Sequence, residues 1–363
     1  MKDRLLSIDV LRGMTIFFMI VVNTPGSWEH VYAPLKHAKW DGLTPTDLVF
    51  PFFVFIVGMS MAYSFLKYEQ SDRNRWVVKV IKRALLIYLV GLFLHWFPFY
   101  NRSIGDLRLV GVLPRIALAY GLAGLVIIYL KERWLPYALL VILLGYYAIL
   151  MLFGGPEPLS LEHNAVRTLD LWLFGERHIY KGYGLPFDPE GLLSTLPAVG
   201  TVLCGYLLGR YVQKFTNHRD KLLKSLPWAI GFILVGLIWH WAGFPINKPL
   251  WSSSYVLVTA GLATLLFCML VYCIDMKGYV RWTYIFQVFG LNPLAAYALS
   301  GLVIKTFGLI KIGDQGIYAW LYQSLFQHLG SQNFGSLIQA LTYTMFIWLF
   351  AWWMYRRKLV IKL

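Results

Sequence analysis

The sequence predicts an all-α, polytopic integral membrane protein. Of its 363 residues, 58% are hydrophobic and only 14% are charged, whereas ordinary soluble domains carry about 25% charged residues. Runs without Asp, Glu, Lys or Arg recur along the whole chain, and a helix of about 20 such residues crosses the ~30 Å apolar core of a bilayer. We therefore expect a single membrane domain over residues 1–363.

About ten transmembrane helices are expected. The apolar runs that predict them are 13–28, 48–66, 84–101, 109–130, 134–156, 191–209, 225–247, 249–274, 282–304 and 336–355. A half-helix at the membrane surface is predicted at about 316–329, because the largely polar segment 331–336 interrupts the last apolar stretch. Asn292-Pro293 lies inside the ninth run, where proline removes a backbone hydrogen bond, so a kink is predicted there. The first run is expected to be a retained helix, since no small-residue cleavage site follows it.

The distribution of Lys and Arg predicts the orientation of the chain. With both termini in the cytoplasm, 22 of the 33 basic residues fall at cytoplasmic ends of the spans, 10 fall outside, and Arg115 lies within a span. This bias follows the positive-inside rule and explains much of the net charge of +15. A nucleic-acid partner is therefore not needed to explain the basicity. The longest loop, at about 154–190, and the segment around His37 are placed on the exoplasmic side.

His37 is the candidate reactive residue. It precedes the apolar run 48–66 and lies ten positions before Asp47, and an imidazole can take and return a proton near neutral pH. Asp47 can orient such an imidazole, as a carboxylate does in a catalytic triad. Thr44-Pro45-x-Asp47 is also typical of a helix start, with Thr44 as N-cap and Asp47 as the capping-box acid. Both roles of Asp47 are compatible, and the alternative for His37 is a solvated loop histidine.

Four blocks of sequence carry a resemblance to a known family. They are Arg4-x-x-Ser7-Ile8-Asp9-x-x-Arg12-Gly13 followed by Asn23, Lys36-His37-Ala38-x-Trp40-x-Gly42-Leu43-Thr44-x-x-Asp47, Gly111-Val112-Leu113-Pro114-Arg115, and Asp188-Pro189-Glu190-Gly191. Their order and spacing resemble the membrane core of the heparan-α-glucosaminide N-acetyltransferase family and its bacterial relatives. The resemblance implies transfer of an acetyl group from cytosolic acetyl-CoA to an amino sugar on the other face of a bacterial inner membrane. It also implies a homodimer.

The resemblance assigns catalytic roles to His37 and Asn23. It makes His37 the catalytic base or the acetyl carrier, with Asp47 behind it. Asn23 matches an asparagine of the family that acts with the histidine, and its amide is expected to hold the thioester carbonyl. The alternative for Asn23 is a polar residue at the membrane surface, because Thr24-Pro25-Gly26 must end the first helix in any case.

Other residues are assigned to coenzyme or acceptor binding. Asp9 and Arg12 either pair with each other across one helical turn or receive the charged end of acetyl-CoA. A charge buried in a span needs a partner, so Arg115 is expected to contact a carboxylate or to line the coenzyme or sugar path. Asp188 and Glu190 either begin the sixth span as a helix cap or face the amino sugar. Trp40 is expected to stack on a sugar ring. The residues given no special chemistry are Cys204, Cys268 and Cys273, read as packing residues, and His95, His163, His178 and His240, which lack metal-ligand spacing.

Two rival functions remain open at this point. A secondary transporter of a sugar or amino sugar would also show a broken helix and a lone charge within the membrane. Transporters usually carry internal repeats, and no second copy of the Asp9–Arg12 or His37–Asp47 pattern is present. The nearer rival is an O-acyltransferase that modifies cell-surface glycans.

Overall fold

The computed structural model describes residues 5–66, 72–100 and 103–361. Within these ranges the chain forms thirteen α-helices: α1 Leu6–Asn23, α2 Pro45–Phe65, α3 Arg73–Trp96, α4 Val112–Tyr129, α5 Leu135–Phe153, α6 Ala165–Phe174, α7 Thr195–Val212, α8 His218–Trp241, α9 Ser253–Leu270, α10 Tyr284–Leu291, α11 Pro293–Leu309, α12 Ile317–Ser324 and α13 Gln332–Arg356. One short hairpin pairs β1 (Lys311–Ile312) with β2 (Gln315–Gly316). Five basic residues used to predict the orientation lie outside the described residues: Lys2, Arg4, Lys67, Arg102 and Lys362.

The all-α, polytopic class is confirmed. Seven helices of the described chain are long and apolar enough to cross a membrane, and the bent pair α10–α11 raises the number to eight. Helices α3 and α7 also occupy predicted spans but are not among these eight, so the number of ten spans stays a prediction. The predicted half-helix corresponds to α12 and a short 3₁₀ helix at Phe326–His328.

The predicted kink at Asn292-Pro293 is confirmed as a break. Helices α10 and α11 meet there at an angle of 79°. The Asn292 side chain bridges the break to the C-terminal segment, since its amide donates to Leu359 O at 2.8 Å and its oxygen accepts from Ile361 N at 2.8 Å. The side chain at the break therefore satisfies two backbone groups of the C-terminal segment.

Helices α2 and α7 pack with their backbones in close contact at the centre of the bundle. A Cβ added at Gly58 would lie 1.9 Å from Val202 O, and one at Gly205 would lie 1.9 Å from Phe55 O. Small residues allow such an approach between membrane helices. The contact fixes α2, and with it the position of Asp47 in the first turn of that helix.

The loops that precede or follow these helices meet at one end of the bundle. The segment 24–44 reaches the segment 242–252, where Gly42 N donates to Ile246 O at 2.8 Å. It also reaches the segment 154–194, where the Trp40 indole donates to Leu159 O at 2.9 Å. Arg108, between α3 and α4, contacts Asp188 across 80 positions of sequence. Four loops far apart in sequence thus build one surface.

The helix contact at Gly205 can be tested by adding one methyl group. Gly205→Ala should lower the thermal midpoint of the detergent-solubilised protein, because a backbone carbonyl cannot move aside as a flexible side chain can, and such overpacking costs about 1–3 kcal/mol. Gly231→Ala in α8 is the matched control, since a Cβ there meets nothing within 4 Å. Tryptophan fluorescence on heating measures both; equal midpoints would show that α2 and α7 are not in backbone contact.

Candidate active site

The first turn of α2 fixes the carboxylate of Asp47. The predicted capping box of Thr44 and Asp47 is confirmed. Oδ2 of Asp47 accepts hydrogen bonds from Thr44 N at 3.1 Å, Thr44 Oγ1 at 2.9 Å and Ala38 N at 3.0 Å. The side chain is only 1% exposed. One oxygen is therefore held by three donors, and the other is left for a different partner.

That partner is His37. Its Nδ1 lies 2.7 Å from Oδ1 of Asp47. An ionised carboxylate only accepts hydrogen bonds, so Nδ1 must carry the proton and donate it to this contact. In the neutral ring the lone pair is then on Nε2. The imidazole is 47% exposed, so a reactive nitrogen is held from behind by a buried carboxylate and remains accessible from the front.

Lys248, in the loop between α8 and α9, completes this cluster. Its Nζ lies 2.9 Å from Nδ1 and 3.4 Å from Nε2 of His37, and 3.4 Å from Oδ1 of Asp47. Burial lowers the pKa of Lys248, while the negative charges of Asp47 and Glu190 act in the opposite direction. The sequence analysis missed this residue because the contact joins positions 211 apart.

A second charged cluster lies opposite. The guanidinium of Arg108 donates to both oxygens of Asp188, at 2.8 and 2.6 Å, and to Oε2 of Glu190 at 2.6 Å. Asp188 is fully buried and also accepts from Tyr180 N and Glu190 N, each at 3.0 Å. Burial alone would lower the pKa of Arg108, but the hydrogen bonds and charges of the two carboxylates raise it.

The helix-cap interpretation of Asp188 and Glu190 is wrong. Helix α7 begins only at Thr195, and its N-cap position is occupied by Ser194. Asp188-Pro189 resembles a helix start locally, but the buried carboxylate is taken by Arg108 from another loop. A pairing with a distant arginine leaves no signal in the sequence around Asp188.

The two clusters face each other across one cavity. Its volume is about 390 Å³, within the range of sites that bind small molecules. The charged and aromatic side chains that line it include His37, Asp47, Arg108, Tyr183, Glu190 and Lys248. The cavity thus combines a nitrogen that can accept a proton, an ammonium group and a carboxylate.

The chain matches known proteins over much of this structure. A family model described as "Heparan-alpha-glucosaminide N-acetyltransferase, catalytic" matches residues 4–238, which is more than half of the chain. The chain belongs to this family. The resemblance seen in the sequence is thereby confirmed. The matched range contains His37, Asp47, Arg108 and Glu190, whereas Lys248 lies beyond it.

Two relatives carry the name heparan-alpha-glucosaminide N-acetyltransferase. The human protein is 28% identical over 355 residues, an alignment that covers 82% of this chain and 52% of the human protein. The mouse protein is 24% identical over 420 residues, covering 99% of this chain and 61% of the mouse protein. The chain spans between about half and three fifths of the length of these two family members.

Four residues to which the sequence assigned ligand or catalytic roles are not among those that line the cavity: Trp40, Asn23, Asp9 and Arg12. Trp40 lies behind it, with its ring 6.2 Å from that of Tyr183 and its indole bonded to a loop carbonyl. Asn23 is exposed at the end of α1. Asp9 and Arg12 form the ion pair expected across one turn, at 2.8 Å, near the other end of that helix. The ligand roles of all four stay predictions.

Arg115 is 1% exposed and pairs differently from the expectation of a carboxylate. Its Nη2 donates to Gly191 O at 3.1 Å and to the hydroxyl of Ser194, and its guanidinium lies 5.0 Å from the ring centre of Trp251. In residues 5–66, 72–100 and 103–361, Nε and Nη1 have no hydrogen-bond partner. Arg115 therefore holds the segment 191–194, which directly follows Glu190, through Gly191 and Ser194.

Asp170, in α6, holds the same segment. Its Oδ1 accepts from Leu192 N at 2.9 Å, and its side chain is fully buried. Burial raises the pKa of Asp170 to about 7. The ordinary pKa of this carboxyl group is 3.8, so the folded protein binds the proton more tightly than the unfolded chain does. The resulting stabilisation is complete below about pH 4 and is lost as the pH rises to about 7.

The predicted loss of stability with rising pH can be tested with Asp170→Asn. This variant keeps the oxygen that accepts the hydrogen bond from Leu192 N but cannot ionise. The thermal midpoint of the wild type should fall between pH 5 and pH 8, and the variant should lose most of that fall. Asp314→Asn, at an exposed position in the loop before β2, is the control and should behave as the wild type. Equal pH dependence in the wild type and Asp170→Asn would contradict the buried, titrating carboxyl.

Proposed function

We propose that this protein is a transmembrane N-acetyltransferase that moves the acetyl group of acetyl-CoA to the amine of a glucosamine-type sugar. The observation that supports the proposal most is the pairing of His37 with Asp47 at the wall of the cavity, which leaves the lone pair of the neutral ring on Nε2. A positioned imidazole that can accept a proton is what amide formation from a thioester needs. The family membership supports the same reaction class.

In the proposed reaction the sugar amine attacks the acetyl carbonyl carbon. The new C–N bond forms as the C–S bond breaks, and Nε2 of His37 takes the proton that the amine loses. The negative charge of Asp47 stabilises the imidazolium formed in this step. His37 then returns the proton to the leaving thiolate of CoA. The same free nitrogen would serve if His37 carried the acetyl group itself, so the proposal includes both routes.

Glu190 is the proposed acceptor-binding carboxylate. Its side chain is 13% exposed at the cavity, and Oε2 is bonded to Arg108. Within residues 5–66, 72–100 and 103–361 no protein group bonds Oε1, which is left to accept from an ammonium or a sugar hydroxyl, and Tyr183 lines the same cavity with an aromatic ring. Asp188, which is fully buried, supports this site by holding Arg108 in place and does not itself face the sugar.

The proposal places the coenzyme entrance at the opposite end of the bundle. Asp9 and Arg12 lie in the first two turns of α1, and the 18 residues of this helix span about 27 Å towards the end that carries the cavity. Acetyl-CoA would bind there from the cytoplasm, where most basic residues are predicted to lie. Its long pantetheine arm would carry the thioester along Arg115 to His37. The bacterial inner membrane and a homodimer complete this proposal.

The secondary transporter remains a weaker candidate. The break between α10 and α11 is the observation that favours it, since transporters often bind substrate at broken helices. Here Asn292 uses its side chain at the break to hold the C-terminal segment. The reactive groups instead lie in the cavity formed by the loops, which favours an enzyme.

The function is tested by acetyl transfer with purified protein in detergent, using labelled acetyl-CoA and a panel of amino sugars. With the best acceptor, His37→Ala should lower turnover by about 10²–10⁴-fold, the usual effect of losing a general base. Its affinity for acetyl-CoA should stay within a few-fold. His163→Ala, at an exposed histidine of the exoplasmic segment, should keep wild-type turnover. No transfer by the wild type to any acceptor, or more than about a tenth of wild-type turnover in His37→Ala, would refute the proposal.

Asp47→Asn separates the capping role from the role towards His37. Three donors surround Oδ2, so the amide oxygen of Asn should take that position and leave its NH₂ group facing His37. That NH₂ donates to Nδ1 and moves the ring proton to Nε2, which can then no longer act as a base. Turnover should fall by about 10²–10⁴-fold with little loss of thermal stability. Retained turnover would show that Asp47 only caps the helix.

A further inference from the structure

Lys248 has hydrogen-bonding capacity that the protein does not use. An ammonium group has three N–H donors. The nearest atom, Nδ1 of His37, already carries the proton that it donates to Asp47, so it cannot accept from Lys248. Of the described residues, Asp47 supplies the carboxylate within ion-pair distance of Nζ, at 3.4 Å. Nε2 of His37, which carries no proton in this tautomer, lies 3.4 Å from Nζ and can accept a second hydrogen bond. Of the three donors, at least one therefore remains for a ligand in the cavity that Lys248 lines.

The loop that carries Lys248 is held rigidly. Asn247 is 1% exposed; its amide donates to Asp41 Oδ1 at 3.1 Å, and its oxygen accepts from Leu250 N at 2.7 Å. The backbone N–H of Asn247 donates to Ser252 Oγ at 3.0 Å. A lysine anchored in this way, with a side chain only 15% exposed, loses little conformational freedom when a ligand binds.

The charges of the cavity also distinguish Lys248 from Arg108. The guanidinium of Arg108 makes three hydrogen bonds to Asp188 and Glu190. Those bonds engage it with the acceptor side of the cavity. Nζ of Lys248 lies instead against the His37 ring, 2.9 Å from Nδ1 and 3.4 Å from Nε2, and Nε2 is where the reacting atoms of the proposed transfer must be.

We propose that Lys248 is a catalytic residue that binds the acetyl carbonyl oxygen and stabilises the negative charge that develops on it. This inference rests on the proposed acetyl transfer. As the amine adds to the carbonyl carbon, the C=O electron pair moves to oxygen, and Lys248 donates a hydrogen bond to that oxyanion while keeping its three protons. When the C–S bond breaks, the oxyanion returns to a carbonyl.

The distance between Nε2 of His37 and Nζ of Lys248 allows both groups to act on substituents of the same acetyl carbonyl carbon. The attacking nitrogen and the carbonyl oxygen are bonded to the same tetrahedral carbon and are therefore close neighbours. Nε2 of His37 and Nζ of Lys248, 3.4 Å apart, can serve one each: the first accepts the proton of the nitrogen, and the second donates to the oxygen. Asn23, assigned an oxyanion role by resemblance, is not among the residues that line this cavity.

The test uses Lys248→Met, which removes the ammonium and keeps most of the chain length, in the acetyl-transfer assay. Loss of an oxyanion donor should lower kcat by about 10²–10³-fold, with the KM values for both substrates within a few-fold of the wild type. The loss of kcat should persist at every pH at which Nζ of the wild type is protonated, because no other group replaces the missing donor. Lys39→Met is the matched control: it removes an exposed lysine two positions from His37 and should leave kcat unchanged.

Two results would overturn the inference. One is a loss of kcat smaller than about fivefold in a folded Lys248→Met protein, far below that principle's range. The other is a loss that is regained at a different pH, because Lys248 would then act only by changing the protonation of His37. Both results concern only Lys248: if the wild type transfers acetyl groups, the proposed function is still supported. A wild type that transfers none would refute the proposed function itself.

Lys248→Arg keeps the inference testable if the methionine variant does not fold. Nζ is surrounded by the charges of Asp47, Glu190 and Arg115, and burial lowers its pKa from the ordinary lysine value. Wild-type activity should therefore fall at alkaline pH as Nζ loses its proton, whereas arginine keeps its charge. The alkaline fall should move to higher pH in Lys248→Arg; an unchanged fall would contradict a role for the ammonium.

Discussion

The two oxygens of Asp47 have separate tasks, and the site depends on that division. Oδ2 accepts three hydrogen bonds from the turn that begins α2 and from Ala38, which fixes the carboxylate in one orientation. Oδ1 is then aimed at Nδ1 of His37 and at Lys248. Because the carboxylate cannot donate, the imidazole proton is held on Nδ1, and the neutral ring keeps its lone pair on Nε2 at the wall of the cavity. Helix capping and the chemistry of His37 thus share one side chain.

The rest of the fold serves to bring four loops to that carboxylate. Helix α2 is fixed by backbone contact with α7 at Gly58 and Gly205. The segment 154–194 is held by Arg115 and Asp170, which bond the backbone at Gly191 and Leu192. Both side chains are buried, and among the described residues Nε and Nη1 of Arg115 and Oδ2 of Asp170 have no hydrogen-bond partner. The cavity is therefore built by rigid neighbours and offers a preformed arrangement of donors and acceptors.

The parts of the structure that could be predicted from the sequence are those determined by residues close together in the chain. The helices follow from long apolar runs, the break from Asn292-Pro293, and the contact between His37 and Asp47 from a spacing of ten residues around a helix start. Contacts made across 80 and 211 positions, by Arg108 and Lys248, leave no local pattern. Asp188 was misread for the same reason: Asp-Pro is typical of a helix start, and only the distant arginine shows its real partner.

The proton on His37 is the central claim, and nitrogen NMR measures it most directly. Protein labelled with ¹⁵N-histidine and placed in lipid nanodiscs would give the His37 signals by comparison with His37→Gln. At a pH where the ring is neutral, we expect the proton on Nδ1 and an unprotonated Nε2 in the wild type, and the reverse tautomer in Asp47→Asn. A proton on Nε2 of neutral His37 in the wild type would contradict it, because that nitrogen could not then accept a proton from the sugar amine.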